Sequence, residues 1–228
     1  MNINTVIFDM DGVLADSETL WNDIDAAMLA EHGVTYAGEH KHQVLGKSFT
    51  LSLQFYKDQF NLEPGIEHLT ERRIIIATDY YANHIEMFPD APHVLQTLRE
   101  RGLRIGMATS SVSTLALAFL ERHNLRQFFD TVVGGEEVEH GKPNPDIYLR
   151  AAEKLESQPA QCLVVEDALA GVQAGKSAGM AVAAIPDPHF ADARDYEGKA
   201  DFILTRLGEV LGVVEQLQSS EQQGKAPQ

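Results

Sequence analysis

The sequence predicts an α/β fold, a Rossmann-like parallel sheet core with a small all-helical cap domain inserted after its first strand. From residue 102 onward, short apolar strands alternate with helical segments, a pattern that predicts crossover connections between parallel strands. The apolar run Val6-Ile7-Phe8 has the character of a strand buried on both faces, so it is assigned to the same sheet. Between residues 17 and 86 only helical periodicity is found, which predicts the insert.

The predicted elements of the sheet follow in strict order along the chain. After Val6–Phe8, the predicted strands are Leu103–Ala108, Phe129–Val133, Cys162–Val165 and Met180–Ile185. The predicted helices between them are Val112–His123, Pro145–Leu155 and Ala168–Ala178. We assign residues 1–15 and 88–218 to the α/β core.

The insert, residues 16–87, is predicted to be a helical cap because apolar residues recur in it at helical spacing. Its two connections to the core, Leu14–Asp16 and Met87–Ala91, are adjacent, a layout typical of a hinged lid. The tail, residues 219–228, is rich in Gln, Ser and Lys and is expected to be disordered. Three amphipathic stretches make up the insert: Leu20, Trp21, Ile24, Met28 and Leu29; Leu51, Leu53, Phe55 and Phe60; and Ile66, Leu69, Arg73, Ile76, Ala77 and Tyr80.

The composition limits the partners and the compartment. The chain of 228 residues carries 34 acidic against 18 basic residues, a net charge of −16, which argues against nucleic acid or an acidic membrane as a partner. A single cysteine, Cys162, excludes an internal disulfide. No apolar stretch approaches the roughly 20 residues that span a bilayer, and no signal-peptide pattern is found. These features predict a cytoplasmic protein.

The first candidate site is a pair of carboxylates two residues apart, Asp9 and Asp11, directly after Val6–Phe8. Open α/β sheets bind ligands at the carboxyl ends of their strands, and charges are costly there unless a cation or a reaction uses them. Asp9 suits a nucleophile and metal ligand, and Asp11 suits a proton carrier. Gly12, a candidate substrate contact, marks the turn out of the sheet. Turn-capping aspartates are the alternative.

Hydroxyl groups follow the second predicted strand at Thr109, Ser110 and Ser111. Hydroxyls and free backbone amides between a strand and a helix form a phosphate-binding cup. The three residues are therefore candidate phosphate contacts. The same residue types also serve as simple helix caps, which is the alternative.

Lys142 precedes a helix start that prolines bound on both sides, which fixes its backbone. A positive charge beside two carboxylates can neutralise a phosphoryl group and keep a nucleophile ionised. A solvated surface lysine is the alternative.

The acids Glu166 and Asp167 end another predicted strand. With the first pair, they suggest oxygen ligands that converge on a hard cation, and Mg²⁺ prefers such ligands. One of them could instead interact with the amino end of the following helix.

These four segments resemble, in order, the four motifs of the haloacid dehalogenase-like phosphohydrolases. Asp9–Ser17 matches D-x-D-G-[VL]-[LIV]-x-[DN]-[ST], and Thr109 occupies the Ser/Thr position of the second motif. Lys142–Asp146 matches K-P-x-P-[DE], and Glu166–Gly171 matches [DE]-D-x-x-x-G. The resemblance extends over residues 3–208 and is strongest to the helical-cap subgroup of sugar-phosphate phosphatases, phosphoglycolate phosphatases and β-phosphoglucomutases.

The resemblance implies a phosphoaspartyl mechanism. Asp9 is implied to attack phosphorus, and Asp11 to protonate the leaving alkoxide and then deprotonate water. Thr109 and Lys142 are implied to bind phosphoryl oxygens. Mg²⁺ is the implied cofactor, held by a carboxylate oxygen of Asp9, the main-chain carbonyl of Asp11, Glu166 and Asp167.

Two positions favour hydrolysis over phosphate transfer within a sugar. The mutases that resemble this chain carry a histidine where it has Trp21 and an arginine where it has Phe49, so a second phosphate would lose its cationic clamp. Asp16–Trp21 resembles the D-S-E-x-L-W opening of hexose-phosphate phosphatases. Trp21 is therefore a candidate substrate contact, with a core position in the cap as the alternative.

The predicted function is hydrolysis of a small phosphomonoester, a sugar phosphate, and the resemblance implies a monomer. Lys47 is the candidate charged contact with this small phosphorylated metabolite, with a solvated lysine as the alternative. A β-phosphoglucomutase-like mutase is the alternative function, because Lys47, Arg72 or Arg73 could hold a second phosphate. A non-enzymatic regulator is disfavoured because every chemical position of the motifs is filled.

Overall fold

The computed structural model describes residues 3–17, 20–37, 49–189 and 191–222. The chain divides into two compact units. One comprises Met1–Asp16 and Glu86–Gln228, and the other comprises Ser17–Ile85. We call the first the sheet unit and the second the helical unit. No helix among the described residues is both long enough and apolar enough to cross a bilayer.

The sheet unit contains eight strands in its described part. They are β1 (Thr5–Phe8), β2 (Ala15–Asp16), β3 (Glu86–Met87), β4 (Arg104–Ala108), β5 (Thr131–Val133), β6 (Cys162–Glu166), β7 (Ala181–Ala184) and β8 (Phe202–Ile203). Six of them form a sheet in the order β5-β4-β1-β6-β7-β8, and all five pairings are parallel. This confirms the predicted α/β fold. β2 and β3 form a separate antiparallel pair.

Eight α-helices lie in the described residues. In chain order the helical unit holds α1 (Leu20–Ala30), α2 (Phe49–Phe60) and α3 (Ile66–Asn83), and the sheet unit holds α4 (Ala91–Glu100), α5 (Ser113–Arg122), α6 (Asp146–Lys154), α7 (Leu169–Ser177) and α8 (Val210–Gln222). Each strand and helix predicted for the sheet lies within its predicted bounds or extends one residue past them. α4, α8 and the two-residue β8 were not predicted.

Helix α8 corrects the prediction for the end of the chain. It continues to Gln222, four residues into the segment predicted to be disordered, and residues 223–228 lie outside the described residues. Val213 and Val214 are buried, and Gln218 Nε2 donates a hydrogen bond to the Ile3 carbonyl at 2.9 Å. These contacts anchor the helix to the sheet unit, so its polar composition does not decide its structure.

The site is positioned by the three central strands. β1 is wholly buried and lies between β4 and β6, with Phe8 level with Met107 and Val165. The chain runs from β1 outward to β5 and then crosses back to β6, so β1 marks the topological switch point at which such sheets bind ligands. The residues that follow these strand ends therefore meet at one edge of the sheet.

Candidate active site

Lys142 joins two buried carboxylates at the carboxyl edge of the sheet. Asp9 directly follows β1, is 6% exposed, and donates its backbone N–H to the Val165 carbonyl at 2.9 Å. The Lys142 ammonium donates to Asp9 Oδ1 at 2.6 Å, to Glu166 Oε1 at 2.6 Å and to the Ala108 carbonyl at 3.2 Å. These bonds use all three donors of the ammonium. Lys142 is thus buried and fixed, and it is not the solvated surface lysine of the alternative.

Glu166, the last residue of β6, is 1% exposed and accepts four hydrogen bonds. Its Oε1 accepts from Lys142 and from the Tyr148 hydroxyl, both at 2.6 Å. Its Oε2 accepts from the backbone N–H groups of Asp167 at 3.1 Å and Ala168 at 3.2 Å. A Cβ at Gly171 would overlap the Glu166 carboxylate, which explains why the first turn of α7 has a glycine there.

The acidic cluster, which we define as Asp9, Glu166 and Asp167, has the chemistry of a divalent metal site. Each residue offers a carboxylate oxygen, and these oxygens all lie within 4.8 Å of one another. Carboxylate oxygens are the ligands that Mg²⁺ and Ca²⁺ prefer. The donor set therefore fits the predicted cofactor.

The electrostatics of the site also favour added positive charge. Burial raises the pKa of Asp9 to about 7, and although Lys142 opposes this rise, Glu166 and Asp11 add to it. Burial alone would lower the pKa of Lys142, but Asp9 and Glu166 outweigh it and hold that pKa well above its ordinary value. The ammonium therefore stays charged, and a further cation beside Asp9 would favour the ionised form of its carboxylate.

Gly12 brings the first loop against the acidic cluster. Its φ of +73° lies in the left-handed region that side chains other than glycine rarely adopt. A Cβ at this position would lie 2.6 Å from Cγ of Asp167, well inside van der Waals contact. The glycine therefore lets the loop after β1 approach Asp167 directly.

The loop after β4 connects to the loop after β1. Ser111 Oγ donates to Asp11 Oδ2 at 3.2 Å, and the Ser111 backbone N–H donates to Thr109 Oγ1 at 3.1 Å. Thr109 is buried, whereas Ser110 is exposed. The loop thus places the Ser111 hydroxyl beside Asp11.

Helix α5 is capped by a residue from another loop. The residue before it is Val112, which makes no side-chain cap bond, so the predicted alternative of simple helix caps does not describe Thr109–Ser111. Instead the Glu136 carboxylate accepts from the Ser113 backbone N–H at 2.9 Å and pairs with the Ser113 hydroxyl. Because Glu136 is 23 residues away from Ser113, sequence reasoning missed this contact.

The arginines of the helical unit are engaged in ion pairs. Arg73 is buried and donates to Asp25 Oδ1 through Nε at 2.8 Å and to Ser52 Oγ at 2.9 Å. The Asp25 carboxylate also accepts from the Tyr56 hydroxyl at 2.7 Å. Arg72 forms an exposed ion pair with Glu31, the residue that follows α1. Arg73 therefore lies inside the helical unit rather than on its surface.

Trp21 packs within the helical unit. Its ring lies 5.0 Å from Cζ of Arg73 and meets the Tyr81 ring edge-on at 6.2 Å between centroids. This is the packing expected of a core residue of α1, and its role as a substrate contact stays a prediction. Lys47 and the Phe49 side chain lie outside the described residues.

The structure thus brings together the candidate site residues of the sheet unit. It adds two tyrosines that sequence reasoning missed. Tyr148 binds Glu166, and Tyr196 donates to the main-chain carbonyl of Asp167 at 2.5 Å. The one available signal was the position of Tyr148 on the apolar face of a predicted helix, where a buried hydroxyl needs a partner. The candidates brought to this edge of the sheet are Asp9, Asp11, Gly12, Thr109, Ser110, Ser111, Lys142, Glu166 and Asp167.

A buried lysine shared by two buried carboxylates at the switch point of a parallel sheet is the arrangement expected of an α/β enzyme. The sequence profile of the haloacid dehalogenase-like hydrolases matches residues 6–185, and the chain belongs to this family.

Its relatives include two bacterial phosphatases. The chain is 30% identical over 178 residues to a phosphorylated carbohydrates phosphatase of Thermotoga maritima, covering 78% of this chain and 82% of the relative. It is 30% identical over 189 residues to hexitol phosphatase B of Escherichia coli K12, covering 82% of this chain and 85% of the relative. The chain is accordingly a phosphoric monoester hydrolase.

Among solved structures, the fold is similar to that of a Thermotoga maritima protein provisionally assigned as a β-phosphoglucomutase. The TM-score is 0.78 at 27% identity, over 94% of this chain and 100% of that protein. A protein provisionally assigned as a mutase is thus among the structural relatives, and phosphatases are among the sequence relatives.

Proposed function

We propose that the protein is a Mg²⁺-dependent phosphatase that hydrolyses a small phosphomonoester, a sugar phosphate, through a phosphoaspartyl intermediate. The observation that carries the proposal is the position of Asp9. It is buried at the end of β1, bound by the Lys142 ammonium at 2.6 Å, and grouped with Glu166 and Asp167. This arrangement supplies a nucleophile together with the charges that an attack on a phosphate dianion requires.

The reaction divides into two displacements at phosphorus. In the first, an oxygen of Asp9 forms a bond to phosphorus while the bond to the sugar oxygen breaks, and Asp11 gives its proton to that oxygen. In the second, Asp11 removes a proton from water, whose oxygen bonds to phosphorus and releases phosphate and the Asp9 carboxylate. The hydrogen bond from Ser111 to Asp11 Oδ2 orients the proton carrier for both steps.

Lys142 acts on the phosphoryl group through its charge, and the loop after β4 binds the phosphoryl oxygens. The ammonium of Lys142 offsets charge where the nucleophile and the phosphoryl group meet. The Thr109 hydroxyl and the hydroxyl and backbone N–H of Ser110 provide further donors, whereas Ser111 acts through Asp11.

Mg²⁺ fits the donor set of the site and would be held by Asp9, the main-chain carbonyl of Asp11, Glu166 and Asp167. When bound, the metal supplies positive charge that stabilises the transferring phosphoryl group. The raised pKa of Asp9 supports this assignment, since a neighbouring cation keeps the carboxylate ionised and nucleophilic.

Hydrolysis of a sugar phosphate is favoured by the relatives and by the helical unit. The two phosphatases are named for phosphorylated carbohydrates and for hexitol phosphate. A mutase must also hold a second phosphate, and Trp21 and Phe49 stand where the resembling mutases have a histidine and an arginine. Arg72 and Arg73, the alternative cations, are engaged with Glu31 and Asp25.

The deciding experiment compares two products from one substrate. The protein is incubated with β-glucose 1-phosphate, Mg²⁺ and a trace of glucose 1,6-bisphosphate, and free phosphate and glucose 6-phosphate are both measured. We expect phosphate release to exceed formation of glucose 6-phosphate. The reverse ratio would replace the hydrolase by the mutase. A parallel panel of hexose, hexitol and pentose phosphates then ranks the sugar substrates by kcat/KM.

A further inference from the structure

We propose that Tyr148 is a positioning residue for phosphoryl transfer: its hydroxyl holds Glu166, and through Glu166 it holds the Lys142 ammonium against Asp9. This inference rests on the proposed function and goes beyond it, since none of the four sequence motifs assigns Tyr148 a part in the reaction.

Tyr148 contacts both members of the pair that it is proposed to hold. It lies on α6, its side chain is 0% exposed, and its hydroxyl donates to Glu166 Oε1 at 2.6 Å. The Lys142 ammonium lies 5.1 Å from the centroid of its ring, within the range of a cation–π contact. Lys142 lies shortly before α6 in the chain, so the helix that carries Tyr148 also begins close to Lys142.

The hydrogen bonds make Lys142 depend on the orientation of Glu166. Three oxygens share the ammonium, on Asp9, Glu166 and Ala108, and the Glu166 bond is one of the two at 2.6 Å. Without the Tyr148 hydroxyl, Glu166 Oε1 loses one of its two donors inside the protein. Oε2 stays bound by the backbone N–H groups of Asp167 and Ala168. The position of Oε1 becomes less defined, and with it the position of the ammonium that Oε1 holds.

A purely structural role would make a different prediction. Tyr148 also belongs to the hydrophobic core beneath the sheet, so its loss could lower stability without acting on Lys142. Two measurements separate the roles. The first is whether Tyr148→Phe lowers activity more than the same substitution at an equally buried tyrosine. The second is whether that loss of activity disappears when Lys142 is also replaced.

The test is a double-mutant cycle with Tyr148→Phe, Lys142→Ala and the double variant, measured as hydrolysis of p-nitrophenyl phosphate at saturating Mg²⁺. We expect Tyr148→Phe to lower kcat about tenfold or more in the parent, and by less than about twofold in the Lys142→Ala background. The Mg²⁺ concentration for half-maximal activity is expected to stay within about twofold of the parent value. The same cycle is measured as the Kd of inorganic phosphate with Mg²⁺ by calorimetry, which requires no turnover from the Lys142→Ala variants.

Tyr56→Phe is the matched control. Tyr56 is also 0% exposed, and its hydroxyl donates to the buried Asp25 carboxylate at 2.7 Å, but in the helical unit. Circular dichroism and Tm are recorded for every variant. We expect the two Tyr→Phe variants to lose similar Tm, while only Tyr148→Phe loses turnover.

The outcomes separate this inference from the proposed function. If the parent protein releases no phosphate from any monoester, the proposed function itself fails. If the parent is active but Tyr148→Phe matches Tyr56→Phe in kcat, the positioning role is wrong. Full additivity with Lys142→Ala, in turnover or in phosphate Kd, would also overturn it, because Tyr148 would then act independently of Lys142.

Discussion

Replacing Gly12 with alanine tests whether the turn after β1 sets the position of Asp167. A Cβ there would lie 2.6 Å from Cγ of Asp167, whereas ordinary contacts of a Cβ begin at 3.4 Å. The Cγ of Asp167 must therefore move by about 0.8 Å, the difference between these two distances, and Oδ2, which would lie still closer to the Cβ, must move further. Mg²⁺ tolerates little departure from ligand distances of about 2.0–2.1 Å, and a 1 Å misplacement near reacting groups can cost about 100-fold in rate.

The backbone conformation of Gly12 would also lower the stability of an alanine variant. This effect has to be separated from the displacement of Asp167. The Gly12 φ of +73° disfavours alanine by about 1–2 kcal/mol wherever the residue lies. Gly102 has nearly the same φ, +76°, but a Cβ there would meet nothing within 4 Å. Gly102→Ala therefore carries the backbone strain without the collision and is the matched control.

The assay measures kcat and the Mg²⁺ concentration for half-maximal activity, with the free energy of unfolding from denaturant titration. We expect both variants to lose about 1–2 kcal/mol of stability. Only Gly12→Ala should raise the Mg²⁺ concentration for half-maximal activity about tenfold or more above that of the parent. Its kcat should also fall about tenfold or more. If Gly12→Ala matches Gly102→Ala in kcat and in Mg²⁺ requirement, the assignment of Asp167 to the metal is wrong.

Three further variants or conditions test other parts of the site and the fold. Asp9→Asn should abolish turnover, because it removes the proposed nucleophile. It should leave Tm unchanged or raised, because burial disfavours the ionised form of the carboxylate that is lost. Activity within about tenfold of the parent would exclude Asp9 as nucleophile. Mg²⁺ should support turnover better than Ca²⁺, whose coordination is larger and looser, and full activity after exhaustive chelation would count against the acidic cluster as a metal site. Arg73→Met should lower the free energy of unfolding, measured by denaturant titration, by about 3–5 kcal/mol, since it leaves the buried Asp25 carboxylate uncompensated. Arg72→Ala should change stability little, because its ion pair is exposed. Equal effects of the two variants would contradict a stabilising role for the buried pair of Arg73 and Asp25.

The edge of the sheet that carries the site could be predicted because it depends on local signals and one general rule. Apolar runs identify the strands, the residue after each run identifies its carboxyl end, and parallel strands place these ends along one edge. Thus Asp9, which follows β1, and Glu166, which ends β6, could be assigned to one site without knowledge of the register. Lys142 follows no strand directly, and its assignment to the site depended on the prolines around it and on its resemblance to the third family motif.

The partners within the site could not be predicted in the same way. Tyr148 and Glu166 are 18 residues apart, and Arg73 and Asp25 are 48 residues apart. Periodicity places each of these side chains on a face of its element but does not say which polar group it meets there. For the same reason Arg73 could be read as a cation for substrate, although it is buried against Asp25. The two-residue strand β8 is too short to carry any periodic signal.

The net negative charge of the chain is compatible with the proposed phosphate substrate because that substrate is small. Exposed charges further apart than about 8–10 Å are largely screened at physiological salt, so a small phosphoryl group responds mainly to the groups that surround it. An extended polyanion such as nucleic acid touches a wide area of the surface and meets the net charge of −16. At the site itself screening is weak, because Asp9, Glu166 and Lys142 are buried.

One ammonium does not balance the carboxylates within that buried site. Asp9, Asp11, Glu166 and Asp167 bring more negative charge than Lys142 offsets, and the pKa of Asp9 near 7 reflects that imbalance together with burial. A phosphate dianion would add two further negative charges. With these four carboxylates ionised and Lys142 charged, a divalent cation held by the acidic cluster would offset two of the three negative charges left in excess, whereas a second lysine or arginine would offset only one. The acidic cluster is therefore better explained as a means of holding that cation than as a set of helix caps.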